Sequence, residues 1–344
     1  MALFYFIAIF GIIFLGIFSK TSDGARKYFP YIIMLSLAFM MGIRYDVGKD
    51  YLNYEEIYDN PYSYARYALE PLWLIFIDLL GSLSFKSRMF FFITSFLFVY
   101  GYYVGFKRIS PHIYISFILF IVCDTFGEGA NTIRQSCAQA VLFAGSRYFL
   151  LRQWRSFLPY AFFAVLLHFT ALIGVALMCV CLIHISRPYL LLSLLTSFAL
   201  GPVMMNLFAS YIVPLMLIVG KYKYDVDTFD AGVSTGLLRY LYTFVGVLVL
   251  WLFKKRKEQP QYLYVLLNLV IMGILIYNTF YLFMPVNRLN RYCFPFITIL
   301  LPMVCRNLEI RSRYIVETIA VVCFLLFLMK SAVNLPYNFD LNFI

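Results

Sequence analysis

The chain has 344 residues, of which 63% are hydrophobic, 20% aromatic and only 13% charged. Soluble domains carry about 25% charged residues, so a water-soluble enzyme, a disordered chain and a nucleic-acid-binding domain all read poorly against this composition. The formal net charge of +11 does not change that. The Lys and Arg fall in short clusters between apolar runs, which is the positive-inside pattern of a polytopic membrane protein.

Apolar runs bounded by charge predict helices over 3–18, 28–43, 70–84, 89–106, 110–126, 131–150, 157–185, 188–220, 237–253, 260–284, 292–305 and 314–330. The first run, Leu3 to Phe18, has no basic segment before it and no A-x-A-like site after it, so it reads as a span and not as a signal peptide. The runs 157–185 and 188–220 are each long enough for two helices, and Gly201-Pro202 and Pro214 interrupt the second. The expected fold class is all-α, a polytopic helical bundle of about 11–14 crossings at ~20 residues each. No linker, repeat or low-complexity tail divides it, so residues 1–344 read as one transmembrane domain with external loops 44–69 and 221–236.

Orientation follows from charge. Lys20/Arg26/Lys27, Lys86/Arg88, Arg147/Arg152/Arg155, Lys254–Lys257 and Arg306/Arg311/Arg313 mark a cytoplasmic side. Asp46, Asp50, Glu55, Glu56, Asp59 and Glu70 fall near the first polar stretch, and Asp225, Asp227 and Asp230 in the second. One conflict arises. If 70–84, 89–106 and 110–126 all cross, Arg147–Arg155 falls outside, so one of the three is broken, re-entrant or interfacial. The short run 110–126, ending in Gly127-Glu128-Gly129, is the expected one.

Ionisable groups inside apolar segments are expensive and mark functional sites by default. Four constellations qualify. Arg44 to Tyr54 sets a cation, a glycine, Asp50, Tyr51 and Tyr54 at a membrane exit, where tyrosines stack on sugar faces and carboxylates accept from sugar hydroxyls. Asp124 to Gln135 interrupts an apolar stretch with Glu128, two glycines, Asn131 and Arg134; an anion there would meet a helix N-terminus and a guanidinium together. The competing reading of Arg134 is an internal Arg–Glu pair. His168 stands alone in an apolar run, either as a structural hydrogen-bonder or as a proton acceptor. Asn287 to Tyr292 carries Arg288 and Arg291 with Asn290 and no acid, on what helix counting makes the outer side.

No P-loop, GxSxG, HExxH or metal cluster is present, and no DxD pair of the kind that holds a metal–nucleotide sugar. No cofactor or metal is expected. The seven cysteines read as small buried hydrophobes.

These motifs resemble those of a known family. Gly42-x-Arg44-Tyr45-x-Val47-Gly48-x-Asp50-Tyr51-x-x-Tyr54 is similar to the RxxVGxDYxxY signature of the EpsG family, which belongs with the Wzy-type O-antigen and capsule polymerases. Asn131-x-x-Arg134-Gln135 resembles its NxxRQ segment. Leu167-His168-Phe169-x-Ala171-Leu172 resembles its HxSAL segment with Thr170 in place of Ser, and Arg288-x-Asn290-x-Tyr292 its late RxxxY segment. Lys49, where Thr is common, and Glu128-Gly129 depart from the pattern.

The resemblance implies a GT-C-like bundle in a bacterial inner membrane. It would move a growing glycan from undecaprenyl diphosphate to a new undecaprenyl-diphosphate-linked repeat at the outer face. A chain-length regulator and a flippase in the same membrane are the implied partners. Arg44, Arg134, Arg288 and Arg291 then suit the two diphosphates through the bidentate guanidinium fork. Tyr51, Tyr54, Asn131, Gln135, Asn290 and Tyr292 fall in with them as substrate-binding residues. Glu128, His168 and Asp50 compete as base for the acceptor hydroxyl. The alternatives are an O-antigen ligase, a lipid-linked oligosaccharide flippase or transporter, and a membrane O-acyltransferase.

Overall fold

A computed structural model describes residues 2–48, 50–63, 66, 69–218, 235–253, 260–332 and 338–339. Lys49, the predicted loop 221–236 except for its last two residues, and the basic run Lys254–Lys257 lie outside the described residues. In chain order the helices are α1 (Ala2–Phe18), α2 (Asp23–Gly42), α3 (Tyr51–Asp59), α4 (Pro71–Ser82), α5 (Ser87–Ile109), α6 (Ile113–Val122), α7 (Thr125–Asn131), α8 (Ile133–Leu150), α9 (Trp154–Leu167) and α10 (Thr170–Val180). They continue with α11 (Arg187–Ile218), α12 (Thr235–Leu252), α13 (Tyr262–Phe280), α14 (Met284–Asn287), two short 3₁₀ turns at Arg288–Tyr292 and Phe294–Phe296, α15 (Ile297–Cys305) and α16 (Ile310–Ala332). Among the described residues, sheet is confined to one antiparallel pair, β1 (Arg44–Tyr45) with β2 (Asn338–Phe339), in which Arg44 faces Phe339.

Among the described residues four helices are long and apolar enough to cross a membrane, Ser87–Ile109, Arg187–Phe208, Tyr262–Phe280 and Ile310–Met329. The pair α6 and α7, bent by 53°, makes a fifth if read as one broken span, and five shorter apolar helices accompany them. The chain is an all-α multi-pass membrane protein. Its residues group into two compact units, 1–173 with 324–344, and 174–323.

In the first unit, side-chain contacts fix which helix ends lie together. Lys107 near the end of α5 donates to the Tyr31 hydroxyl in α2 at 2.7 Å. Arg108 donates to the Ala144 carbonyl of α8 at 3.0 Å and to the Tyr160 hydroxyl of α9 at 3.2 Å, and lies over Tyr148. That basic end gathers Lys20, Arg26, Lys27, Lys107, Arg108, Arg147, Arg152 and Arg155. At the opposite, acidic end, Arg88 at the start of α5 pairs with Glu55 of α3 at 2.9 Å and lies over the rings of Tyr45 and Tyr51.

These pairings correct two expectations. Lys86 and Arg88 belong to the acidic end, because the carboxylate and aromatic rings of the 44–59 segment attract the Arg88 guanidinium. The segment expected to cross at 70–84 forms a helix too short for a full crossing. Helix α4 has 12 residues, about 18 Å of rise against roughly 30 Å of hydrocarbon. Arg66, which donates to the Ile57 carbonyl of α3, pairs with Asp78 in α4, and Tyr58 of α3 donates to the Phe85 carbonyl just beyond it, so the C-terminal end of α4 stays with α3. The 110–126 run is indeed bent, but α6 and α7 together pass from the basic end to the acidic one, where Asn131 meets Gly48. With α4 removed from the count, Arg147–Arg155 returns to the basic end and the conflict disappears.

In the second unit, the break expected at Gly201-Pro202 is absent. Helix α11 runs unbroken for 32 residues. Proline cannot donate to the carbonyl four residues back, so the Phe198 carbonyl loses its helical partner. Arg239 of α12 supplies the missing donor, Nη2 to Phe198 O at 2.5 Å, with its guanidinium between the Phe198 and Tyr281 rings. Asn278 of α13 ties the same level together, donating to Ser197 and Thr243. The other expected division, within 157–185, is present: α9 ends at Leu167 and α10 begins at Thr170, with His168 extended between them.

Candidate active site

The acidic end of the first unit is assembled from four separate sequence segments. Gly48 joins the first two. Its φ of +107° is open to glycine and strained for other residues, and a Cβ there would lie 2.9 Å from both the Ala130 carbonyl and Asn131 Oδ1. The glycine of the first motif thus lets the chain close directly on the asparagine of the second. That contact fixes the short gap between α7 and α8, and with it the start of α8, where Arg134 sits in the first turn.

Arg134 meets the carboxylate of Glu70. The Nη1 to Oε2 distance is 2.5 Å, and the Glu70 side chain is 4% exposed against 25% for Arg134. The other carboxylate oxygen, Oε1, is 2.6 Å from Nδ1 of His168. One carboxylate therefore bridges a guanidinium and an imidazole contributed by α8 and by the α9–α10 break. Tyr54, buried beside them, completes the group, its hydroxyl within reach of the Arg134 charge. Trp73, in the first turn of α4, donates Nε1 to the Leu167 carbonyl at 2.6 Å, satisfying a carbonyl that the end of α9 leaves without a helical donor. The N-terminal turn of α4 thus holds both residues of the break, Leu167 by its carbonyl and His168 by its ring.

Burial pushes the Glu70 carboxyl up, but the hydrogen bond from His168 and the charge of Arg134 outweigh it, and the carboxyl is held below its ordinary value. An ionised carboxylate only accepts, so the proton in the 2.6 Å contact belongs to His168 Nδ1. In its neutral form that imidazole has Nε2 unprotonated and available as an acceptor. Burial also pushes the Tyr54 hydroxyl up against the pull of Arg134, so it stays protonated.

The other sequence-predicted residues are placed as follows. Arg44 is 1% exposed and donates to the Met41 carbonyl at 2.7 Å and Ser95 Oγ at 2.9 Å, with its guanidinium 5.2 Å from the Phe91 ring centre. It braces the end of α2 against α5. Tyr51 is fully buried and stacks on Phe91 at 4.3 Å, and Tyr54 is 7% exposed, so neither offers a free ring face to a sugar. Asp50 caps the start of α3 by position, half-buried, and its charge reaches Tyr54. Glu128 is half-buried in α7, where its backbone carbonyl accepts from Thr132 and Ser136. The acid facing Arg134 is Glu70. Gln135 is buried on α8.

The fourth motif lies in the second unit. Asn290 donates to Asn287 Oδ1 at 2.8 Å, Tyr292 is buried with its ring over Gly174, and Arg288 and Arg291 are half-exposed on the 3₁₀ turn.

Glu70 is the residue that sequence reasoning passed over, grouped there with the solvated acids of a polar stretch. Its signal was Glu70-Pro71 followed by an apolar run: a carboxylate at the N-cap of a helix with Pro at its first position.

A protein-family model described as the EpsG family matches residues 27–341. The chain belongs to the EpsG family. No curated protein and no solved structure matches it. The matched range takes in all four motifs together with Glu70. Membership in the EpsG family puts the chain among membrane proteins of polysaccharide synthesis, of the polymerase type.

Proposed function

We propose that this EpsG-family protein polymerises a polysaccharide. It transfers a growing glycan from a polyprenyl diphosphate, undecaprenyl diphosphate in bacteria, to the non-reducing end of a new lipid-linked repeat. The observation that carries the reading is the bridge Arg134–Glu70–His168 at the acidic end of the first unit. It puts a phosphate-matching guanidinium and an oriented imidazole on the two oxygens of one carboxylate.

Glycosyl transfer from a lipid diphosphate needs two things from a protein. The leaving group gains negative charge at the diphosphate as the anomeric C–O bond breaks, and a preorganised cation stabilises it. The acceptor hydroxyl must also lose its proton as its oxygen attacks the anomeric carbon, and a positioned base contributes about 10²–10⁴-fold. Arg134 is the cation for the first task. His168, with Nδ1 protonated against Glu70, takes the proton on Nε2 for the second. Glu128 and Asp50 are the secondary candidates for base. Arg288 and Arg291 of the second unit offer a separate cationic segment for a diphosphate.

The positive-inside rule assigns the basic end to the cytoplasm and the acidic end to the outer face. That puts the proposed chemistry at the periplasmic or extracellular side of the cytoplasmic membrane. Flanking partners in the same membrane, a flippase that delivers repeats and a regulator of chain length, fit this placement.

The test is the length distribution of surface glycan in a strain lacking the protein. The proposal expects single repeats on the terminal acceptor and loss of all longer chains. Absence of any repeat on that acceptor would indicate a ligase, and accumulation of repeats on the inner leaflet a flippase; either outcome overturns the polymerase reading.

A further inference from the structure

We infer that Glu70 is a positioning residue with two opposed effects: its carboxylate occupies the Arg134 guanidinium in place of a substrate phosphate, and it holds His168 in the tautomer that can accept a proton. The inference rests on the reading of Arg134 as a diphosphate ligand and adds a residue to which no motif drew attention.

The geometry supports each half. Glu70 Oε2 lies 2.5 Å from Arg134 Nη1 and Oε1 lies 2.6 Å from His168 Nδ1, so the carboxylate is fully committed in the unliganded protein. At 4% exposure it has little water to fall back on. A phosphate presents the same pair of charged acceptor oxygens to a guanidinium as a carboxylate does. Arg134 is the more open partner, and its Nε is buried without a hydrogen-bond partner among the described residues. The guanidinium thus retains an unused donor beside the edge that Glu70 occupies. An incoming diphosphate must compete with Glu70 for Arg134, or share it. As it draws Arg134 away, Glu70 keeps its second contact, because that contact goes to a different oxygen and a different helix end. The base stays oriented while the cation turns to the substrate.

The consequence is an unusual pair of signs. Removing the negative charge at Glu70 should tighten diphosphate binding, because Arg134 loses its internal competitor. It should also slow turnover, because a neutral amide no longer dictates which His168 nitrogen carries the proton. A purely structural role predicts that binding and turnover both worsen.

The experiment uses the full-length protein in nanodiscs. Binding of farnesyl diphosphate is titrated and polymerisation of a lipid-linked repeat is timed, for the wild type, Glu70→Gln, Glu70→Asp and Arg134→Ala. The expected result for Glu70→Gln is about tenfold tighter binding, which corresponds to about 1.4 kcal/mol, with turnover reduced about 100-fold. Glu70→Asp keeps the charge but shortens the reach, and should move both quantities in the same directions by less. Should Glu70→Gln fail to insert, the Asp variant decides alone. Binding that is unchanged or weaker in a correctly folded Glu70 variant overturns the inference. If wild-type binding of farnesyl diphosphate is absent, or is unaffected by Arg134→Ala, the functional reading itself fails.

Discussion

Replacing Gly48 with alanine tests whether the first two motifs form one structure. The added Cβ would lie 2.9 Å from the Ala130 carbonyl and 2.9 Å from Asn131 Oδ1, on a backbone at φ +107°. Strain of a non-glycine residue in a sparsely populated region costs about 1–3 kcal/mol. Overpacking against a backbone carbonyl adds about 1–3 kcal/mol. A backbone oxygen cannot swing aside as a side chain can, so relief must come from separating the 44–54 segment from the α7–α8 junction. That separation would shift Arg134 relative to Tyr54 and Glu70. The expected outcome is a melting temperature in detergent several degrees below wild type, with polymer synthesis reduced even at temperatures where the variant is folded. Gly48→Ala with wild-type melting and wild-type chain length would refute the close approach of the two motifs.

Other expectations follow from single contacts. If Arg239 substitutes for the donor that Pro202 lacks, Arg239→Met leaves the Phe198 carbonyl bare at a cost of about 1–3 kcal/mol; in a Pro202→Ala background, where the helix supplies its own N–H, the same substitution should cost measurably less in a melting assay. Cysteines introduced at Glu55 and at Lys86 should react with an impermeant thiol reagent on the same side of the membrane, and one at Lys107 on the other; labelling of 86 with 107 would contradict the placement of α4. The Glu70 carboxyl is held below its ordinary value of 4.5. Its contribution to stability is therefore fully present above 4.5, and it is lost as pH falls through the lower folded value. Glu70→Gln should remove that part of the acid dependence, as followed by melting temperature against pH.

The membrane class and the helices of the first unit were legible from hydropathy and charge because lipid imposes length and polarity on each span. Positive-inside counting grouped Arg88 with the basic end, whereas that guanidinium is held by Glu55 and two tyrosines at the acidic end. A 15-residue apolar run such as 70–84 has the composition of a span without its length, and only the pairing of Tyr58 and Arg66 with its far end reveals that this end stays beside α3. The proline at 202 is a local signal for a break, and its repair by Arg239, 37 positions later in the chain, is invisible to any local pattern. In the candidate site, Arg134 and His168 were recognisable as costly groups in apolar surroundings. Their shared partner was not, because Glu70 lies 64 residues from one and 98 from the other, and only the packing of α4 brings them together. Arg44 and Tyr51 show the reverse: motif residues whose structural work, bracing α2 and α3 on α5, looks in sequence like ligand chemistry.

The central claim, that glycosyl transfer takes place at the Arg134–Glu70–His168 bridge with His168 as base, is tested most directly by single-turnover polymerisation in proteoliposomes loaded with lipid-linked repeat. His168→Gln keeps polarity and removes the titratable nitrogen. The account predicts a fall in rate of about 100-fold or more with substrate binding retained. A His168→Gln protein that extends the chain at the wild-type rate would contradict it.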